Sequence, residues 1–156
     1  MRIGVVPWAI DAALPVLTIS RSEGDYFLKA AAGVTVNGTP VTSRLLAHGD
    51  KISIGSRCRV VFLRPSAASS TAVLDLSDAR PAAASMRNVV LMDREIVIGA
   101  GAGDHIRAMD LAEKAILQRR GSGLAVRCGA KTIDVSLDAP VNVGTLRLVV
   151  SREQRP

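Results

Sequence analysis

The chain is poor in the residue types that most catalytic and metal sites use. Its 156 residues include two cysteines, two histidines, one tryptophan, one tyrosine and two phenylalanines. Cys58 and Cys128 are far apart in sequence, as are His48 and His105, so no ligand cluster with zinc-site spacing is present. We therefore expect no metal, no cofactor and no catalytic residue. We expect both cysteines to pack as small apolar side chains, and the sequence leaves a disulfide open.

Concentrated charge is also missing. The formal net charge is +6, yet the basic residues are spread along the chain and the longest basic run is Arg119-Arg120. Without a basic stripe or interleaved aromatic residues, we expect no nucleic-acid binding. The apolar segment 3–19 is interrupted by Asp11 and by two prolines, which fits neither a signal peptide nor a membrane span. We expect a folded cytoplasmic chain without membrane contact.

Short strands closed by tight turns are indicated within residues 33–55. Apolar and polar residues alternate through 34–36, the chain turns at Asn37-Gly38, passes a Gly49-Asp50 corner and alternates again through 52–54. Because aromatic residues are scarce, the core must consist mainly of Val, Leu, Ile and Ala. This pattern predicts an all-β protein made of antiparallel β-sandwiches.

The same segment resembles the carboxyl half of a forkhead-associated (FHA) domain, a β-sandwich family that usually recognises phosphothreonine peptides. In that family a Gly-Val-x-Val-Asn-Gly strand and turn precedes a leucine, a Gly-Asp corner and an Ile-x-Ile-Gly strand. All of these stand between Gly33 and Gly55. The resemblance implies a SMAD/FHA-type sandwich whose role is protein–protein interaction.

An internal repeat extends this interpretation over the chain. Five segments align in order with later ones: 2–4 with 97–99, 18–21 with 116–119, 23–30 with 121–128, 52–55 with 141–144 and 59–62 with 147–150. Apolar positions and glycine corners recur together, as two copies of one supersecondary plan would leave them. We predict two FHA-like sandwiches in tandem, a first repeat at 1–65 and a second, more degenerate repeat at 87–156.

The segment 66–86 between the repeats is rich in Ala, Ser and Pro and is expected to be a linker. Its middle, 71–77, alternates like a strand. We expect this strand to cover a sheet edge that a missing first strand leaves open in the first repeat. In the second repeat that strand is present in an expected hairpin at 88–98.

The phosphate-binding residues of the family are missing. The FHA family binds phosphate through an arginine in a Gly-Arg step and through a Ser-x-x-His stretch. Here Val5 follows Gly4 and Ala100 follows Gly99, and neither 13–16 nor 111–114 contains the Ser-x-x-His pair. We therefore expect a non-catalytic interaction or scaffold module that binds a protein partner without phosphorylation. The alternative is a signalling module that still binds phosphopeptides.

The turn retained in the first repeat is the expected docking region. Asn37 has two interpretations: a turn residue with positive φ, or, as in the family, a side chain that bonds a partner's backbone. We place the partner near Asn37 and Thr35, with Arg21 and Arg44 supplying charge for an acidic partner. The second repeat lacks that turn and could form packing or dimer surface, so a homodimer is left open. His48 is expected to be structural, and the expected structural turn residues are Gly38, Gly49, Asp50, Gly55, Gly99 and Gly144.

A glycine-rich loop offers a different function. The loop from Gly99 to Asp104 follows an apolar strand and precedes 109–117, a stretch that can form a helix. Such a loop could bind a pyrophosphate in a βαβ nucleotide-binding unit. However, Asp104 stands where the third glycine belongs, and the residues after Ile116 resemble strands. Nucleotide binding is the weaker alternative, and otherwise we expect only one or two helical turns near 110–117.

Overall fold

The computed structural model describes residues 17–55, 58–76 and 88–151. These residues form sixteen β-strands and, within the described ranges, no α-helix. The expectation of an all-β fold of antiparallel sandwich type is confirmed. No described segment is a helix long and apolar enough to cross a membrane. The chain divides into two compact units, unit 1 at Met1–Leu91 and unit 2 at Met92–Pro156.

Unit 1 contains nine described strands in two sheets. The strands are β1 (Leu17–Ser22), β2 (Asp25–Ala30), β3 (Val34–Val36), β4 (Thr39–Pro40), β5 (Ser43–Leu45), β6 (Lys51–Ile54), β7 (Cys58–Leu63), β8 (Ala72–Asp75) and β9 (Asn88–Leu91). One sheet has the order β1-β2-β5, and the other has the order β4-β3-β6-β7-β8-β9. All neighbouring strands in both sheets are antiparallel.

The core of unit 1 is formed by alternate residues of both sheets. Tyr26 and Leu28 of β2 are buried, and so are Cys58, Val60 and Phe62 of β7. The rings of Tyr26 and Phe62 lie with centroids 5.3 Å apart and planes tilted by 58°. Because Tyr26 belongs to the three-stranded sheet and Phe62 to the six-stranded one, this pair connects the two layers.

Much of the expected linker belongs to unit 1. The alternating stretch forms β8, which pairs along β7, and β9 pairs along β8. Tyr26 Oη also donates a 2.6 Å hydrogen bond to the carbonyl of Ser70. Residues 77–87 lie outside the described ranges. The sequence predicts that β9 pairs with the following strand in a hairpin at 88–98. Instead, β9 pairs with the preceding strand β8, so the predicted hairpin is wrong. The boundary between the units follows Leu91.

Unit 2 contains seven described strands. They are β10 (Glu95–Gly99), β11 (Ile106–Arg107), β12 (Ala115–Arg120), β13 (Gly123–Cys128), β14 (Lys131–Val135), β15 (Pro140–Val143) and β16 (Leu146–Val149). One sheet has the order β11-β10-β12-β13-β14, and β15 and β16 form a second sheet. The pair β10–β11 is parallel, and the other pairs of this unit are antiparallel.

Two hairpins of each unit coincide with the segments that the internal alignment pairs. Hairpins β1–β2 and β12–β13 each join two six-residue strands through a two-residue turn. Hairpins β6–β7 and β15–β16 both turn at a glycine with positive φ, 58° at Gly55 and 59° at Gly144. The aligned glycines thus serve the same backbone purpose, because glycine adopts positive φ at less cost than most residues.

The helical turns expected near 110–117 are absent, and that expectation is wrong. Residues from Ala115 onward form β12, which pairs with β10 on one side and β13 on the other. Ala115 and Leu117 are buried, and Ile116 between them is not. Ladder hydrogen bonds on both sides and this alternating burial outweigh the helix propensity of the residues from Ala115 onward, while 109–114 is irregular. The loop after β10 is consequently not followed by the helix that a βαβ unit requires.

Candidate functional site

The turn after β3 is fixed by the side chain of Asn37. Asn37 has a φ of 51°, a conformation that Asn tolerates better than most residues. Its Oδ1 accepts a 2.9 Å hydrogen bond from the N–H of Lys51, and its own N–H donates to the Lys51 carbonyl at 2.9 Å. Its Nδ2 donates to Asp50 Oδ1 at 2.7 Å. The side chain therefore holds the β3–β4 turn against the start of β6.

Asp50 is the centre of this arrangement, which we call the Asp50 corner: Asn37, Arg44, Ala47, Asp50 and Lys51. Asp50 is buried although it lies in a turn. Its Oδ2 accepts a 2.9 Å hydrogen bond from the N–H of Ala47 and lies 3.5 Å from Arg44 Nε. One carboxylate thus joins the β3–β4 turn, the end of β5 and the chain that enters β6.

Two of the four expected partner-binding residues meet in the Asp50 corner, and two lie elsewhere. Asn37 and Arg44 both contact Asp50. Thr35 lies opposite Pro40 and Ser53 on the face of β3 that points away from the core. Arg21 is a half-buried residue of β1 that lies opposite Tyr26. Asn37 and Arg44 therefore stabilise the fold of unit 1 through these contacts, and the charge of Arg44 is paired with that of Asp50.

The expected turn glycines fall into two groups. Gly38, Gly49, Gly55 and Gly144 all have positive φ, as turn residues should. Gly99 is different, since it is the last residue of β10 and does not lie in a turn. A Cβ atom at Gly99 would lie 2.5 Å from an oxygen of the Asp104 carboxylate. Gly99 is therefore needed for close approach of that side chain, not for backbone freedom.

His48, expected to be structural, braces the end of β7. Its Nδ1 accepts a 3.0 Å hydrogen bond from the N–H of Arg64, which follows that strand. The residue belongs to the loop that also contains the Gly49-Asp50 corner. Its contact is with the backbone, which agrees with a structural role.

An exposed apolar pair that the sequence patterns did not predict lies on the outer face of the three-stranded sheet. Phe27 of β2 and Leu45 of β5 lie directly opposite each other and are 37% and 53% exposed. Tyr26 and Leu28, the neighbours of Phe27, both point into the core. Successive side chains of a strand point to opposite faces, so three consecutive apolar residues must place at least one on the outer face. The run Tyr26-Phe27-Leu28 therefore indicates an exposed apolar side chain.

In unit 2 the glycine loop is closed by an ion pair between the buried carboxylate of Asp104 and the exposed side chain of Lys114. The carboxylate of Asp104 is 2% exposed, and Lys114 Nζ lies 2.7 Å from its Oδ1. The N–H of Gly101 donates to its Oδ2 at 2.7 Å. The hydrogen bond from Lys114 holds the pKa of Asp104 below its ordinary value, although burial acts in the opposite direction. The Gly101 amide and the Lys114 ammonium thus bind an internal carboxylate.

His105, next to Asp104, is a buried histidine with one satisfied nitrogen. Its Nδ1 accepts a 2.9 Å hydrogen bond from the N–H of Val97, in the middle of β10. Its Nε2 has no hydrogen-bond partner among the described residues. Burial lowers the pKa of His105 below its ordinary value, while the carboxylates of Glu95 and Asp104 act in the opposite direction. The imidazole therefore favours its neutral form in the folded chain.

We expect the stability of unit 2 to decrease in mild acid because of His105. The unfolded chain binds a proton near pH 6.5, the ordinary value for histidine, whereas the folded chain binds it only at lower pH. The free energy of unfolding therefore has its full value above about pH 6.5. It decreases as the pH falls below 6.5 and levels off below the folded-state pKa of His105. Thermal unfolding between about pH 5 and pH 8 would measure this.

Two histidine variants provide the matched comparison for that titration. His105→Asn retains an oxygen acceptor for the Val97 N–H and should flatten the decrease in acid. His48→Asn, on the braced loop of unit 1, should leave the decrease unchanged. An unaltered pH profile in His105→Asn would contradict this assignment.

Neither cysteine of the described residues is an activated nucleophile. Cys58 and Cys128 are free thiols. Burial raises the pKa of Cys58, and desolvation followed by the carboxylate of Glu113, 3.6 Å from Cys128 Sγ, raises the pKa of Cys128. Both thiols therefore stay protonated, and a protonated thiol is a poor nucleophile. No group of three or more His, Cys, Asp or Glu side chains in the described ranges could hold a metal ion.

Comparisons with protein-family models, with curated proteins and with solved structures give no match to this chain.

Proposed function

We propose that the chain is a non-catalytic protein-interaction module made of two degenerate FHA-like sandwiches in tandem. The support is the FHA-like motif between Gly33 and Gly55 together with the hairpins that recur in units 1 and 2. Its two free cysteines agree with a reducing compartment such as the cytoplasm. A protein partner of the same compartment would be its ligand.

Binding without phosphorylation is supported by the loop of unit 2. The family's phosphate-facing arginine would stand at Ala100, and its Ser-x-x-His stretch would end at Lys114. The ammonium of Lys114 is paired with Asp104, so a phosphate would have to compete with a buried carboxylate for it. The corresponding positions of unit 1, Val5 and 13–16, lie outside the described residues. A remaining phosphopeptide function is the alternative.

The observation that carries the docking proposal is the exposed pair Phe27 and Leu45, which lie directly opposite each other on the outer face of the three-stranded sheet. Leu45 follows Arg44, whose guanidinium lies 3.5 Å from Asp50, so the Asp50 corner holds β5, one of the two strands that carry the apolar pair. Rigid aromatic and apolar anchors surrounded by polar residues are typical of the centres of protein interfaces. The partner surface is accordingly apolar at its centre, whereas the sequence alone suggested an acidic partner.

Capture of partners from the source cell, before and after phosphatase treatment, tests this proposal. Capture should be unchanged by phosphatase, and Leu45→Ser should weaken it by about tenfold, which corresponds to one anchor residue. Met109→Ser is the matched control, because Met109 is an exposed apolar residue of unit 2. Loss of capture after phosphatase treatment would favour the phosphopeptide alternative. Equal effects of the two substitutions would remove the docking assignment.

A further inference from the structure

Strand β16 of unit 2 has an edge that its counterpart in unit 1 does not have. Within the described residues β16 forms a ladder only with β15, apart from an isolated bridge between Leu137 and Val150. Its counterpart in the internal alignment, β7, lies between β6 and β8. The place that β8 takes beside β7 is thus not filled beside β16 by any described strand.

The difference is visible in the burial of the aligned side chains. Val60 and Phe62 of β7 are buried, whereas the aligned Leu148 and Val150 are only half-buried. Val149, on the outer face, is 50% exposed. The inward side of β16 therefore retains apolar surface that a further strand would cover. The free energy gained by covering it is proportional to the apolar area buried.

The backbone groups of β16 that face the open edge follow from the hairpin geometry. Hairpin β15–β16 closes with Val143 opposite Leu146 across a two-residue turn. The closing pair of such a hairpin exchanges hydrogen bonds, so Leu146 and Leu148 bond to β15. The N–H and C=O groups of Arg147 and Val149 then point to the open edge, where an added strand can bond to them.

We propose that the edge of β16 pairs antiparallel with β16 of a second molecule of this chain. A two-fold axis at Leu148 sets Leu148 opposite its own copy and sets Arg147 opposite Val149 of the second molecule, so the outward-facing backbone groups meet. The two arginines are then not directly opposite each other. Leu146, Leu148 and Val150 of both molecules lie on one apolar face of a four-stranded sheet.

Self-association of this kind stands apart from the proposed partner site. That site lies on unit 1, at Phe27 and Leu45, and β16 belongs to unit 2. A monomeric chain would overturn the dimer and leave partner capture by unit 1 unaffected. Loss of the partner site would likewise leave the dimer intact.

Sedimentation velocity of the full chain over a range of concentrations tests the dimer. The wild-type chain should dimerise, and Val149→Pro should abolish dimerisation, because it removes an N–H that faces only the open edge. Thr132→Pro is the matched control. Thr132 takes the corresponding outward-facing position on β14, in a ladder that closes with Cys128 opposite Lys131 across a two-residue turn. Its substitution should leave the dimer intact.

A pair of charge variants tests the register without altering the backbone. Val149→Arg places an arginine opposite Arg147 of the other molecule at both symmetric positions of the dimer. The repulsion between these like charges should weaken the dimer by about tenfold. Val149→Asp puts opposite charges there and should tighten it. A monomeric wild-type chain, a dimer that survives Val149→Pro, or equal effects of the two charge variants would each overturn the inference.

Discussion

Replacing Asp50 with alanine should lower the free energy of unfolding of unit 1 by about 2 kcal/mol. The substitution removes the carboxylate that accepts hydrogen bonds from the Ala47 N–H and from Asn37 Nδ2, and both donors lose this acceptor. It also leaves Arg44 without the carboxylate that lies 3.5 Å away. Asp50 is itself buried and its one carboxylate contacts three other segments of unit 1, so the loss exceeds that of an ordinary turn residue.

The two cysteines allow each unit to be followed separately. Cys58 is buried in unit 1 and Cys128 is half-buried in unit 2, so thiol labelling in increasing urea reports on each unit. In Asp50→Ala, Cys58 should become reactive at lower urea, and Cys128 should be unaffected. Asp25→Ala is the control, since the Asp25 carboxylate lies in an exposed 3.4 Å ion pair with Arg64 and its removal should cost less than about 0.5 kcal/mol.

Asn37→Ala in the same assay separates the two interpretations of Asn37. The family resemblance favours a side chain reserved for a partner, and its removal would then leave stability nearly unchanged. The structure shows that side chain bonded to Asp50 and to the backbone of Lys51, so we expect a loss of about 1 kcal/mol. Equal stability of Asn37→Ala and wild type would restore the partner-binding interpretation.

The parts of the fold that follow from short sequence patterns were predictable. Alternation in 34–36 and 52–54, the Asn37-Gly38 turn and the Gly49-Asp50 corner all lie where the pattern put them. Each is decided by residues close in sequence, through the positive φ of Asn and Gly and the two-residue period of a strand. The all-β class follows from the same local signals.

The features that depend on distant partners were not predictable. The residues of β9 pair with β8 rather than with β10, a choice that the alternation of a single strand does not determine. The stretch before Leu117 has helix-forming residues, yet 109–114 is irregular and the chain from Ala115 is strand, because ladders exist on both sides of β12. Nothing in the sequence around Arg44 shows that its charge is matched by a carboxylate in a later turn. These outcomes belong to tertiary packing.

Phe62→Ala should destabilise unit 1 more than Asp50→Ala or Asn37→Ala does, by about 3–5 kcal/mol. Phe62 is fully buried and packs against Tyr26 of the opposite sheet. Because the chain has only two phenylalanines and one tyrosine, the surrounding core consists of smaller aliphatic side chains. These cannot expand to fill the space that the ring leaves, so a cavity remains between the two layers.

Phe27→Ala is the matched control, because it makes the same chemical change on the outer face of β2, next to Tyr26. Its cost should stay within about 0.5 kcal/mol, since Phe27 is partly exposed and lies outside the core of unit 1. Labelling of Cys58 in urea measures both variants against the same wild-type curve. The contrast depends on which side of β2 faces the six-stranded sheet. If Phe27→Ala destabilises unit 1 as much as Phe62→Ala does, the assigned face of β2 is wrong, and Phe27 and Leu45 belong to the core rather than to a partner surface.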